Sequence, residues 1–409
     1  GDDGAWLDVV GWRLDDVVDR IRGQRGTVVR LKVLPGKTGA AAAEKTVRLV
    51  RDTIKLEKQA AKSEIKKFKS AEGREVRIGV ITVPAFYSDF DAARRGVTDY
   101  RSTTRDVRRL LHDLDGQIDG LVLNLRENGG GSLQEAVDLT GLFIGDGPVV
   151  QVRQADGDVE VEKDSEPAPV YTGPLAVLVD HASASASEIF AGAIQDYGRG
   201  IVIGDPTFGK GTVQTLVDLN RLTRAKDPQG QLKMTIAKFY RVNGSSTQHR
   251  GVQPDITIPS VVDSAETGES AQKNALPWDE IAATRYRGDQ RLTTLAPELA
   301  RRHQTRIAGD PDYQAFLHDI EFTRQQRDKT TVSLLESRRR AEREQIEAWQ
   351  RERENRYRIA KGLPLLKPGD EIPEGKDSAI PDAALEESAR IVADLIGLID
   401  SNSALVMSR

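Results

Sequence analysis

The chain has 409 residues, no cysteine, and a formal net charge of −4 with both signs interspersed. Its length is sufficient for two or three domains. The absence of cysteine excludes disulfides, thiol nucleophiles and cysteine-based zinc sites, and the weakly acidic balance argues against a nucleic-acid partner. No apolar run reaches membrane-spanning length, so contact with a membrane is expected to be peripheral at most.

The N-terminal 35 residues predict a strand, a helix and a second strand. The strands are placed at residues 6–9 and 28–33, and the helix between them has the apolar face Leu14, Val17, Val18 and Ile21. A segment of about 35 residues is too short for an independent core. The chain opens in mid-pattern and shows no signal peptide, as expected of a fragment.

Residues 44–70 are rich in Lys and Glu, and their pattern is ambiguous. The apolar residues Val47, Leu49, Ile54 and Leu56 alternate with polar residues, as in two strands. Residues 56–68 could instead form a charged helix. We interpret the lysines as a solvated face and not as an anion site.

A buried strand followed by three glycines comes next. Residues 77–83 predict a strand, residues 98–114 an amphipathic helix, and residues 120–125 a buried strand. Gly129 to Gly131 then precede a helix at 133–143. Glycines at this junction allow positive φ and let backbone amides approach a ligand closely. The run is neither a Walker loop nor a dinucleotide fingerprint.

Residues 175–179 predict a buried strand that leads to a helix beginning at Ser185, after a polar hairpin at 151–164. Ser185 and Glu188 form an S-x-x-E capping box. A serine at such a junction is either a helix cap or a nucleophile that faces free backbone N–H groups. A Ser-His-Asp interpretation with His181 is disfavoured, because its spacing fits no usual triad and no G-x-S-x-G surrounds the serine.

Lys210 follows a second short strand, residues 201–203, and lies between two glycines. A lysine stem in such a loop can be enclosed by protein. Burial lowers the pKa of a lysine, and a neutral amine can accept a proton from a hydroxyl group. This residue favours the nucleophile interpretation of Ser185.

The remaining chain predicts strands at 216–218 and 233–240 around a mobile insert at 224–230, and then a linker at 263–274. Residues 292–357 predict charged helices. A final helix at 383–399 has a clear apolar face. No H-E-x-x-H or carboxylate–histidine motif indicates a metal, and no cofactor is expected.

Three stretches, LNLRENGGG, SASASEIFAGAIQDYG and FGKGTVQ, closely resemble the carboxyl-terminal processing, or tail-specific, serine proteases in their larger bacterial periplasmic form. The resemblance implies an α/β fold with a crotonase/ClpP-like protease core, and it favours strands in residues 44–70. The implied domains are 1–35, the C-terminal half of a PDZ domain without its carboxylate-binding loop; 36–260, the Ser–Lys protease core; and 261–409, a helical C-terminal domain.

By residue match, the resemblance implies that Ser185 is the nucleophile, Lys210 the general base and Gln214 the residue that orients the lysine. It also places Asp196 at an acidic position near the site. Beside Ser185, the candidates for the oxyanion hole are backbone amides. These are Gly129 and Gly130 for one donor and Ala186 for the other.

The expected function is serine endopeptidase activity on periplasmic proteins with apolar C-terminal tails. An adaptor protein could deliver these substrates. The protease is expected in the bacterial periplasm, where it could associate with the inner membrane. Two alternatives stay open. One is a non-catalytic or resting scaffold or peptide-binding protein with the same fold. The other is a crotonase-like acyl enzyme that handles thioesters.

Overall fold

The computed structural model describes residues 4–33, 44–52, 60–69, 73–89, 92, 95–97, 100–221, 229–262, 267–289, 291–373 and 375–407. It contains two compact units, residues 1–59 and residues 60–409. The predicted insert at 224–230 lies mostly outside the described residues.

The first unit pairs two strands beside one helix. These elements are α1 (Leu14–Ile21), β1 (Val28–Val33) and β2 (Lys45–Val50), and β1 and β2 are antiparallel. The strand predicted at residues 6–9 is wrong, because these residues have no regular structure and the Trp6 ring packs under the side chains of Arg30 and Lys32. The boundary predicted at residue 35 falls between two strands that pair, so this unit extends farther.

The second unit carries the remaining elements. In chain order these are β3 (Lys62–Lys69), β4 (Glu75–Thr82), α2 (Thr103–Leu114), β5 (Gly120–Asn124), α3 (Leu133–Ile144), β6 (Gly147–Gln154), β7 (Val159–Asp164), β8 (Leu175–Val179), α4 (Ala186–Asp196), β9 (Ile201–Gly204), β10 (Thr212–Asp218), β11 (Gln231–Tyr240), β12 (Ile256–Thr257), α5 (Arg291–Gly309), α6 (Pro311–Arg327), α7 (Glu336–Ala360) and α8 (Ala383–Met407).

Several predicted boundaries shift for local reasons. Helix α2 begins at Thr103 and not at residue 98, because the Ser102 side chain caps it by accepting from the Arg105 N–H. The charged helical stretch is broken before Pro311, where Asp310 caps α6. The ambiguous Lys- and Glu-rich region forms strands β2 and β3, as the family resemblance predicted, while Ile54 and Leu56 lie outside the described residues.

The described strands of this unit form two sheets. A central sheet has the order β12-β9-β8-β5-β4-β3, in which β3 is antiparallel to β4 and the other neighbours are parallel. An antiparallel sheet has the order β10-β11-β6-β7. Because the carboxyl ends of parallel strands share one edge, the glycine run after β5 and Ser185 after β8 meet there.

Alternate residues of the central strands face two different cores. On β5, Leu121 and Leu123 pack with helices α2, α3 and α4, whereas Val122 packs with α5, α6 and α8. Residues on β4, β8 and β9 divide in the same way. Helices α5, α6 and α8 therefore pack on one face of the central sheet and are part of its core.

Helix α8 lies very close to this sheet. A Cβ added at Gly120 on β5 would lie 2.6 Å from Val392 of α8, and Arg126 forms a two-point ion pair with Asp382 at the start of the same helix. Among the described residues, no helix is both long enough and apolar enough to span a membrane.

Candidate active site

Ser185 lies at a strained turn between β8 and α4. Its φ and ψ are 57° and −112°, a conformation that an L residue rarely adopts and that costs roughly 1–3 kcal/mol. The preceding turn is held by Asp180, whose carboxylate accepts from the N–H groups of Glu127, Ala182 and Ser183. Such strain persists only where the surroundings fix it, and it points to a functional serine.

The glutamate half of the capping box predicted at Ser185 is present, whereas the Glu188 N–H donates to the Ser185 carbonyl oxygen at 2.9 Å. The glutamate does more than cap the helix. Glu188 is fully buried and Oε2 accepts from the backbone N–H of Ser185 at 2.7 Å and of Lys210 at 3.0 Å. Oε1 accepts from the Gly209 N–H and the Thr207 hydroxyl. One oxygen therefore bonds to the main chain of both Ser185 and Lys210 and brings the two residues together.

Burial raises the pKa of Glu188 to about 7, and its hydrogen bonds with Thr207, Ser185, Gly209 and Lys210 oppose that shift. Burial also lowers the pKa of Lys210, and the positive charge of Lys233 lowers it further. The carboxylates of Glu269 and Glu188 act in the opposite direction. The lysine is therefore shifted toward the neutral form that a general base requires.

The side chains of Ser185 and Lys210 are not joined by a hydrogen bond in this structure. No hydrogen bond or ion pair within the described part of the chain engages Lys210 Nζ, and none joins it to Ser185 Oγ. The main chain of the two residues is assembled, while the lysine ammonium is not engaged with the hydroxyl.

The glycine run after β5 packs directly against Ser185. A Cβ added at Gly130, whose φ is +100°, would lie 2.7 Å from the Ala184 carbonyl oxygen and 2.8 Å from Ser185 Cβ. Asn128 fixes this contact. Its carbonyl accepts from the Ala184 N–H and the Ser187 hydroxyl, and its side chain bonds to Val83 and to the Gly130 N–H.

The predicted oxyanion donors differ in availability. The Gly130 N–H already donates to Asn128 Oδ1 at 2.9 Å. Within the described residues, no hydrogen bond engages the N–H of Gly129 or of Ala186, the first residue of α4. A Cβ at Gly129 would meet nothing within 4 Å, so this side of the run is open.

Asp196, Gln214 and His181 were also considered from the sequence, and within the described residues none of them makes a hydrogen bond with the side chain of Ser185 or of Lys210. Asp196 is at the opposite end of α4, about 16 Å along an 11-residue helix, where it is buried in an ion pair with Arg241 and accepts from Asn243. Gln214 is exposed on β10, next to a β-bulge, and makes no hydrogen bond with Lys210. His181 bonds through its ring nitrogens to the Pro206 and Thr267 carbonyls.

Sequence reasoning missed the parts of the site that act through buried polar contacts. Asn128 was seen only as part of the glycine run, and Glu188 only as a cap. Gln248 was not singled out at all, yet it is fully buried and accepts from the Gly211 N–H next to Lys210. Within the described residues, no cluster of His, Asp and Glu could hold a metal ion.

Comparison with known proteins agrees with this geometry. The profile of Peptidase family S41 matches residues 77–258, and that of the C-terminal domain of tail specific protease matches residues 262–397. The chain is 42% identical over 394 residues to a tail-specific protease of Haemophilus influenzae. This match covers 95% of the chain and 53% of that protein.

Two more distant relatives carry related names. A carboxy-terminal-processing protease of Bartonella bacilliformis is 31% identical over 261 residues, with 61% of this chain and 51% of that protein covered. Among solved structures, the photosystem II D1 C-terminal processing protease is similar at 25% identity and a TM-score of 0.42, over 65% of each chain.

The mixed α/β sheets and the matched core place the chain in the S41 family of serine peptidases. Within that family it belongs with the tail-specific proteases, because their C-terminal domain is matched as well. The chain spans about half the length of the curated relatives it matches.

Proposed function

We propose that this chain is a serine endopeptidase in which Ser185 is the nucleophile and Lys210 the general base. The observation that carries the proposal is the shared carboxylate of Glu188, which binds the backbone N–H of both residues through one oxygen. The strained turn at Ser185 and the partly desolvated lysine support it.

In the proposed reaction, neutral Lys210 accepts the hydroxyl proton as Ser185 Oγ bonds to the scissile carbonyl carbon. The N–H groups of Gly129 and Ala186 stabilise the oxyanion, since neither has another partner within the described residues. The carbon–nitrogen bond then breaks, and the amine leaves with the proton from the lysine. Water hydrolyses the acyl-enzyme, with Lys210 again as base.

We also propose substrates that are periplasmic proteins recognised by apolar C-terminal tails, delivered with or without an adaptor. The names of the relatives, tail-specific and carboxy-terminal-processing protease, support the tail preference. The order of α1 and β1 supports the proposal that the first unit is the C-terminal half of a PDZ domain. The central parallel strands and their crossover helices support a crotonase/ClpP-like core in the second unit.

The test uses the full 409-residue chain and a denatured protein substrate. Ser185→Ala and Lys210→Ala should each lower kcat by at least about 10³-fold with the fold intact, because the two residues act as a unit. Ser337→Ala and Lys329→Ala, at exposed positions on or near α7, are the matched controls. Cleavage retained by Ser185→Ala would refute the proposal.

A resting or scaffold function is the second candidate, because Lys210 Nζ makes no hydrogen bond with Ser185 Oγ. A fluorophosphonate probe distinguishes the two, since it reports on the nucleophile without substrate capture. Labelling of Ser185 that depends on Lys210 indicates a competent dyad. Absence of labelling at every pH indicates the scaffold.

A further inference from the structure

The segment that follows the protease core lies against the lysine loop on both sides of Lys210. The Glu269 N–H donates to the carbonyl of Phe208, two residues before the lysine. The Glu269 carboxylate accepts from Gln248 Nε2, and the same Gln248 side chain accepts from the N–H of Gly211, one residue after the lysine. Glu269 is thus attached to the loop upstream and downstream of Lys210.

The segment is also anchored at its other end. The Thr267 carbonyl lies 3.1 Å from His181 Nε2, and the following residue, Gly268, has a φ of +94°. A Cβ added at Gly268 would lie 2.7 Å from His181 Nε2. Close packing of this kind fixes where the backbone of Glu269 lies.

We propose that Glu269 is a positioning residue for Lys210: from outside the S41-matched core it fixes the lysine loop, directly at Phe208 and through Gln248 at Gly211, and it adds a negative charge near the amine. This proposal rests on the proposed Ser–Lys function and deepens it. Residue 269 falls in the region matched by the C-terminal domain of tail specific protease. That region therefore contributes to the active site as well as covering the sheet.

The charges near Lys210 determine the direction in which each substitution should shift the pKa of the lysine. Glu269 and Glu188 raise the pKa of the lysine, whereas burial and Lys233 of β11 lower it. Removing the carboxylate of Glu269 should therefore make the amine available at lower pH. Removing the charge of Lys233 should act in the opposite direction, so the two variants form an internal pair of controls.

The experiment measures the rate of fluorophosphonate labelling of Ser185 against pH for the full chain. We expect Glu269→Gln to move the acid limb to lower pH, with a roughly threefold faster rate on that limb. Lys233→Gln should move it to higher pH, and Glu347→Gln, exposed on α7, should leave it in place. Glu269→Asp, which keeps the charge, should shift less and guards against a Gln variant that does not fold.

The proposal would be overturned if the labelling rate of Glu269→Gln fell on the acid side at the same pH as in the wild type, whether or not the rate was lower at every pH. Glu269 would then be a structural residue. Failure of the proposed function has a different signature. In that case the wild type would not label, or Lys210→Ala would label with the wild-type pH profile.

Discussion

The serine side and the lysine side of the active site are held in different ways. Ser185 lies in a strained turn whose neighbours are buried and hydrogen-bonded through Asp180, Asn128 and Glu188. Lys210 is held through its backbone, while its half-buried ammonium has no hydrogen-bond partner among the described residues. The fold therefore assembles the main chain of the site and leaves the final contact to the lysine side chain.

Among changes outside Ser185 and Lys210 themselves, the largest effect should come from Glu188, the group that joins the two sides. The Glu188 carboxylate accepts four hydrogen bonds, three of them from backbone N–H groups. In Glu188→Gln an NH2 group replaces one carboxylate oxygen, so a donor faces the N–H donors. We expect about a 100-fold or larger loss of kcat/KM, with buried N–H groups left unpaired. An unchanged kcat/KM would show that the shared carboxylate does not organise the site.

A smaller effect is expected from a change on the serine side alone. In Gly130→Ala, the new Cβ meets the Ala184 carbonyl at 2.7 Å with φ at +100°, so the glycine run must move away from Ser185. We expect a drop in kcat of about 10-fold or more. Gly129→Ala is the matched control, because its Cβ meets nothing within 4 Å, and it should cost much less.

A change at the far end of α4 should affect stability and not chemistry. Arg241→Met leaves the buried carboxylate of Asp196 without its ion-pair partner, which should lower the free energy of unfolding by about 3 kcal/mol. Urea denaturation measures this loss. The kcat of the folded fraction should stay within about twofold of the wild type. A selective loss of kcat would return Asp196 to the catalytic site.

The pH dependence of stability should show an effect of Glu188. Burial raises its pKa from 4.5 to about 7, so the folded chain keeps this proton to higher pH than the unfolded chain does. The contribution of Glu188 is therefore full below about pH 4.5 and is lost as the pH rises through about 7. Denaturation midpoints of Glu188→Gln should lack this decline relative to the wild type.

Local patterns in the sequence predicted much of the fold. The apolar run with the capping box identifies one strand-to-helix junction and the glycine run identifies another, and both junctions are present. The alternation along β5 does not reveal what covers the second face of the sheet, because both faces are apolar. Tertiary contacts, such as the packing of Val392 against Gly120, show that the C-terminal helices lie there.

The candidate site was predictable only in part. Ser185 and Lys210 could be named because their motifs match a family. Asn128 contacts Val83, 45 positions away, and Gln248 contacts Gly211, 37 positions away, and no local pattern encodes such pairs. Asp196 illustrates the opposite case, since a motif position near Ser185 in sequence lies at the other end of a helix.

A crystal structure of the chain with a peptide boronate bound to Ser185 tests the central claim most directly. We expect Lys210 Nζ within about 3 Å of Ser185 Oγ, Glu188 still bonded to the backbone N–H groups of Ser185 and Lys210, and the boronate oxygen facing the N–H groups of Gly129 and Ala186. A boronate adduct in which the lysine ammonium points to solvent, away from the hydroxyl oxygen, would contradict it.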